Sequence, residues 1–181
     1  MNMRLPRGVL IQGGVNTGRS VTNNCEVVAK VDNPSTRFCE VTPKFLTSVK
    51  FQGAYPLPWN SQFSAVFQNL PGPEITAAWD APNDASKATL GRDLAAGATN
   101  TSLVALMEPG QTYDKRTWWL DFRFTKTLRL GRMNVQGIAD LYNVMNTSGV
   151  LSEIVSYGTK WRQPDLIQLA RFVKFGAKID F

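Results

Sequence analysis

Period-two alternation constrains what this chain can fold into more than any other feature. In the last ten residues Val173, Phe175, Ala177, Ile179 and Phe181 fall on one side, and Lys174, Gly176, Lys178 and Asp180 on the other. A helix of period 3.6 would mix these sets on every face, so the segment reads as a strand with one apolar and one polar surface. The pattern recurs upstream. Leu120, Phe122, Phe124 and Leu128 oppose Asp121, Arg123, Thr125 and Thr127, with Lys126 the one charge on the apolar side. Phe45, Val49, Phe51 and Tyr55 oppose Lys44, Ser48, Lys50 and Gln52, and Phe63, Ala65 and Phe67 oppose Gln62, Ser64 and Gln68. Val135, Gly137, Ala139 and Leu141 oppose Asn134, Gln136 and Asp140, while Val9, Ile11 and Val15 oppose Gln12 and Asn16 more weakly.

These segments predict six antiparallel strands in sequential order, roughly 7–19, 43–55, 60–79, 113–130, 132–145 and 169–181, and no helix longer than about two turns. Their connections alternate in length. Pro56-Leu57-Pro58-Trp59 and Gly131-Arg132 read as tight turns, whereas 20–42, 80–112 and 146–168 are long and polar. Short turns at one end and long loops at the other suit an up-and-down transmembrane barrel. About ten residues at ~3.3 Å rise, tilted near 45°, cover the roughly 25 Å lipid-facing band. Tyr55, Trp59 and Phe181 would mark one membrane boundary, and Trp118 and Trp119 the other. The same alternation also suits a soluble β-sandwich, in which the aromatics fill a core.

Other classes fare worse. No uninterrupted apolar run exceeds Leu103 to Met107, far short of the roughly 20 residues of a membrane-spanning helix. The net charge of +6 comes from scattered basic residues rather than a stripe, so no nucleic-acid partner is expected. The chain has no histidine, which removes Ser-His-Asp and Cys-His catalysis. Gly13 to Ser20 has phosphate-loop spacing with Arg19 in the lysine position, but Val21-Thr22-Asn23-Asn24-Cys25 is a poor helix, so a strand running into a loop is expected. Asp121, Asp140 and Asp180 share the polar face and could in principle form a hydrolytic carboxylate pair. Arg123, Lys174 and Lys178 lie among them as ion-pair partners, and the structural role is the one expected. Met1 to Gly8 lacks the apolar core of a signal peptide, which fits a chain that begins partway through a longer protein.

Several segments carry a resemblance. Tyr55-Pro56-Leu57-Pro58-Trp59 with Phe67 to Ile75, Leu90-Gly91-Arg92-Asp93-Leu94, Leu120 to Lys126, Asp140 to Asn146, Tyr157 to Trp161 and Arg171 to Gly176 occur in the order seen in one family. The chain resembles the C-terminal barrel segment of TonB-dependent outer-membrane transporters of the carboxypeptidase-regulatory-like, or Oar-like, group. Val173 departs from it, standing where an aromatic would be unsurprising.

The resemblance implies that residues 1–181 are the C-terminal part of a barrel of about 22 strands, an incomplete all-β sheet without the plug, TonB box or N-terminal domains. It implies the outer membrane of a Gram-negative bacterium and nutrient import, with no catalysis and no cofactor. The implied partners are outer-membrane lipid, the rest of the barrel and its plug, the TonB system acting through the absent parts, and the barrel-assembly machinery. Cys25 and Cys39, the two cysteines of the chain, would share an external loop and form a disulfide. Phe181 would serve as the terminal aromatic of an assembly signal, or else complete the lipid-facing girdle. A passive porin-like barrel and a soluble β-sandwich binding module remain as alternatives.

Overall fold

The computed structural model of the chain describes residues 1–30 and 36–181; 31–35, within the expected loop 20–42, lie outside the described residues. The chain is mainly antiparallel β, 53% strand against 9% helix, with a single sheet dominating. Its seven strands are β1 (Asn2–Leu5), β2 (Val9–Gly18), β3 (Leu46–Leu57), β4 (Ser61–Leu70), β5 (Thr117–Leu130), β6 (Met133–Tyr142) and β7 (Phe172–Asp180), and their spatial order is their chain order. The sheet is not closed into a barrel. β1 and β7 are its edges.

Six of these strands coincide with the expected ones. β1 is additional: four residues set off by the Pro6-Arg7-Gly8 turn, too short to declare an alternation. The expected strand 60–79 ends instead at Leu70, because Pro71 and Pro73 cannot donate to a ladder. Residues Ala78–Pro82 pair with Thr101–Ala105 in a hairpin of their own. The phosphate-loop look-alike is the end of β2 and the loop after it.

Register turns separate alternations into one surface. Phe51 stands opposite Phe67, which stands opposite Leu120; Tyr55, Phe63, Phe124, Ala139 and Phe175 form a second row. Because cross-strand partners share a face, the apolar sets of β2 to β7 all lie on one side of the sheet, and Gln52, Gln68, Asp121, Arg123, Asp140 and Lys174 lie on the other. Trp118 and Trp119, expected together at one boundary, therefore part company: Trp118 joins the apolar face beside Phe67, and Trp119 the polar face. Lys126, the charge on the apolar side, sits near the turn end and donates from Nζ to the Trp59 carbonyl at 2.5 Å, reaching out of the apolar band along its aliphatic stem.

Nothing in the described residues covers the apolar face. Phe175 is 79% exposed, Leu128 50% and Phe63 37%, and the buried apolar residues are Ile75, Ala77 and Ala81, all in one connecting loop. The accessible surface is 12791 Å² for 20.1 kDa. A compact chain of that mass would expose about 8,700 Å².

The turns and loops segregate by end. Pro6–Gly8, residues 58–60 and Gly131-Arg132 close the short connections, and Gly131 occupies the first central position of a two-residue hairpin with φ 63°, where glycine is favoured. The long connections 19–45, 71–116 and 143–171 all emerge at the other end. Their described residues are more ordered than the polar composition suggests. They carry the hairpins Thr22–Asn23 with Glu40–Val41, Ala78–Pro82 with Thr101–Ala105, and Val150–Glu153 with Pro164–Ile167. They also carry α1 (Cys25–Val28) and α2 (Asn83–Leu90), the latter just over two turns long.

Gly13 makes the apolar face sensitive to a single methyl. A Cβ there would meet the Phe51 ring at 2.3 Å and the Lys50 carbonyl oxygen at 2.5 Å, whereas at Gly14 nothing lies within 4 Å. Gly13→Val is expected to cost about 1–3 kcal/mol through overpacking. Gly14→Ala should change stability by less than about 1 kcal/mol. Urea unfolding of the chain in nonionic micelles, followed by tryptophan fluorescence, checks both.

Candidate functional site: the polar face and its loop cap

The centre of the polar face is an ion pair fixed by register. Arg123 on β5 stands directly opposite Asp140 on β6, so the guanidinium reaches the carboxylate in a fork, Nε to Oδ1 at 2.6 Å and Nη2 to Oδ2 at 3.0 Å. Tyr142, two residues along the same face, donates its hydroxyl to Oδ2 at 3.4 Å. Asp140 is buried and Arg123 half exposed. The pair borders a shallow cavity of about 450 Å³ that Gln62, Ser64, Thr125 and Gln136 also line. The rest of the face is amide-rich, with Gln52 donating to Gln12 at 2.6 Å.

The candidate carboxylates are each engaged separately. Asp121 accepts the Asn143 backbone N–H at 2.8 Å, and Asp180 pairs with Lys178 at 3.0 Å. Among the described residues no group of three His, Cys, Asp or Glu side chains could hold a metal ion. The arrangement is chemically a hydrogen-bonding surface for solutes and water.

Above it, the three long connections are knitted into one cap. Lys44 donates its backbone N–H to the Gly110 carbonyl, and Gln111 its side chain to the Thr42 carbonyl, both at 2.9 Å, joining the first loop to the second. The second meets the third where Trp161 Nε1 donates to the Thr76 carbonyl at 2.9 Å and Arg162 lies 3.8 Å from Asp114 and 3.2 Å from Glu153. The Lys115 backbone N–H, aided by a hydrogen bond with Glu153 and by the Arg162 charge, holds the Asp114 carboxyl below the ordinary carboxylate range. Cys25, at the start of α1, is bonded to Cys39, with Cα atoms 4.8 Å apart. A closed loop of that size contributes about 3 kcal/mol in the chain-entropy view. Phe181 lies just beyond β7 and is 95% exposed, on the turn end of the sheet opposite the cap.

The organising residue that the alternation did not single out is Asn143. It is buried, adopts φ 49°, and bonds through its side chain to the Thr147 and Leu169 carbonyls and the Thr147 N–H. Thr147 and the buried Gln168 extend this network to the Trp118 carbonyl. The available signal was local: asparagine tolerates left-handed backbone and bonds to its own neighbours, so the Asn143-Val144-Met145-Asn146 run marks a turn.

Removing one partner of the central pair leaves a buried carboxylate unpaired. Arg123→Met is expected to destabilise by about 1–3 kcal/mol, less than a fully buried pair because Arg123 is half in solvent, and adding Asp140→Leu should recover most of the loss. A double-mutant cycle by urea unfolding in micelles measures the coupling; additive losses would mean that the two side chains act independently.

Compared with protein-family models, with curated proteins and with solved structures, the chain matches none.

Proposed function

We propose that the chain is the C-terminal barrel part of a TonB-dependent outer-membrane transporter that imports a nutrient, with the apolar face toward lipid, the polar face toward the lumen and the knitted loops outside the cell. The observation that carries this reading is the single exposed apolar face built by register from β2 to β7. The chain exposes about 4,000 Å² more than a compact protein of its mass. If half of that were apolar, about 50 kcal/mol of burial would be unrealised in water, several times the roughly 5–15 kcal/mol stability of a domain. Lipid offers that burial without a second sheet.

The dimensions agree. Trp118 to Leu128 on β5 spans about 33 Å along the strand and about 23 Å after a 45° tilt, close to the height of a barrel's apolar band. Thr17 and Thr47, whose hydroxyls lie 2.9 Å apart, stand on the apolar face at the loop end, and Lys126 turns its charge to the Trp59 carbonyl at the 58–60 turn. Open edges at β1 and β7 call for neighbouring strands, since unpaired backbone in lipid costs several kcal/mol per group. On this reading the remaining strands and plug come from the rest of a longer protein, and the assembly machinery engages the exposed end around Phe181 by strand pairing.

Refolding the chain with phosphatidylcholine vesicles and floating it on a density gradient tests the lipid assignment. The chain is expected to rise with the vesicles and to resist alkaline extraction; recovery as a soluble monomer would contradict it. In the full-length protein, Phe181→Ala should lower outer-membrane insertion far more than the heat stability of inserted barrels. Unchanged insertion would leave Phe181 only its place in the girdle.

A further inference from the structure

The loop end of the polar face carries an apolar pocket out of keeping with the amide-rich surface below it. Trp119, Tyr142 and Phe172 project into it from β5, β6 and β7, with the Tyr142 and Phe172 rings stacked 4.6 Å apart at 16°. The hairpin Val150–Glu153 with Pro164–Ile167 closes the other side with Leu151, Leu166 and Ile167. Asn143 fixes the geometry, since its side chain bonds to the Leu169 carbonyl at the foot of that hairpin and its backbone N–H to Asp121. The cleft is open on one side and has a volume of about 460 Å³. That is a small-molecule size.

The lining holds one charge. Asp121 gives Oδ1 to Asn143, and among the described residues no donor takes Oδ2; no lysine or arginine lines the cavity. A carboxylate accepts and never donates when ionised, and the faces of Trp119 and Tyr142 attract cations. We propose that this pocket binds a small organic ammonium ion with a flat apolar body, its rings against Trp119 and the Tyr142–Phe172 pair and its N–H groups on Asp121 Oδ2. The site deepens the transport reading by giving the solute a chemical class, and it rests on that reading for the access of solute to the polar face.

The probe is 1-naphthylmethylammonium, compared with 1-naphthoate, titrated calorimetrically into the full chain in nonionic micelles. The ammonium is expected to bind one to one and at least about tenfold more tightly than the carboxylate, the worth of one charge-assisted hydrogen bond. Asp121→Asn keeps the acceptor for Asn143 and should abolish the preference. Ile167→Trp, on the exposed hairpin, should fill the cavity and block both probes, with circular dichroism reporting the fold of each variant. Equal affinity for the two probes, a preference for the anion, or binding indifferent to Ile167→Trp would overturn the proposal. The two readings fail separately. A chain that enters vesicles but ignores the amine loses only the site, and a chain that binds the amine but stays out of lipid loses the transporter.

Discussion

Cross-strand register is the constraint on which the rest of this structure depends. Each strand alone offers a modest alternation, and several are imperfect: β2 contains Gly13 and Gly14, and β5 carries Lys126 among its aromatics. A shift of one residue in any pairing would move that strand's apolar set to the polar side. The observed pairings avoid this at every step from β2 to β7, and so place Phe51, Phe67 and Leu120 in one row and Tyr55, Phe63, Phe124 and Phe175 in another. The short turns help to set the phase. Gly131-Arg132 leaves Leu130 facing Met133, and residues 58–60 leave Leu57 facing Ser61.

The same sheet explains why order collects at one end. A single layer has no interior, so its buried apolar side chains lie in the loop that holds Ile75, Ala77 and Ala81. Stability there comes from backbone bonds between loops, from the Cys25–Cys39 disulfide, and from Trp161 and Arg162 bridging two of the three connections. The result is a shaped, ordered cap of loops above the polar face, the kind of surface that the proposed transporter would need for selecting its solute.

Much of this was legible in the sequence because period two is a direct consequence of strand geometry. The strands around Phe122, Val135 and Phe175 could be placed to within a few residues, and the Arg123 and Asp140 side chains could be assigned to one face. What alternation cannot convey is pairing between distant segments. Ala78 and Trp79 fall at the end of the expected strand 60–79 because Trp79 and Ile75 continue an apolar run past Pro71-Gly72-Pro73, whereas Asp80 to Pro82 and their partners Thr101 to Ala105 fall in the expected loop 80–112. The short β1 has too few residues for a period to register. The apolar pocket was invisible for a related reason: Trp119 reads as a boundary aromatic beside Trp118, and only the fold brings it to Phe172 and the Leu166 hairpin.

The central claim is that the two faces of the sheet meet different solvents, and strand β4 tests it away from both open edges. In a Cys25→Ser, Cys39→Ser background, single cysteines would be placed at Gln62, Phe63, Ser64, Ala65, Phe67 and Gln68 in the chain inserted into lipid vesicles. Labelling by a membrane-impermeant maleimide should alternate, with positions 62, 64 and 68 reacting and 63, 65 and 67 shielded. Uniform labelling along the strand would mean that the apolar face is not in lipid, and uniform protection that both faces are buried; either would contradict the account.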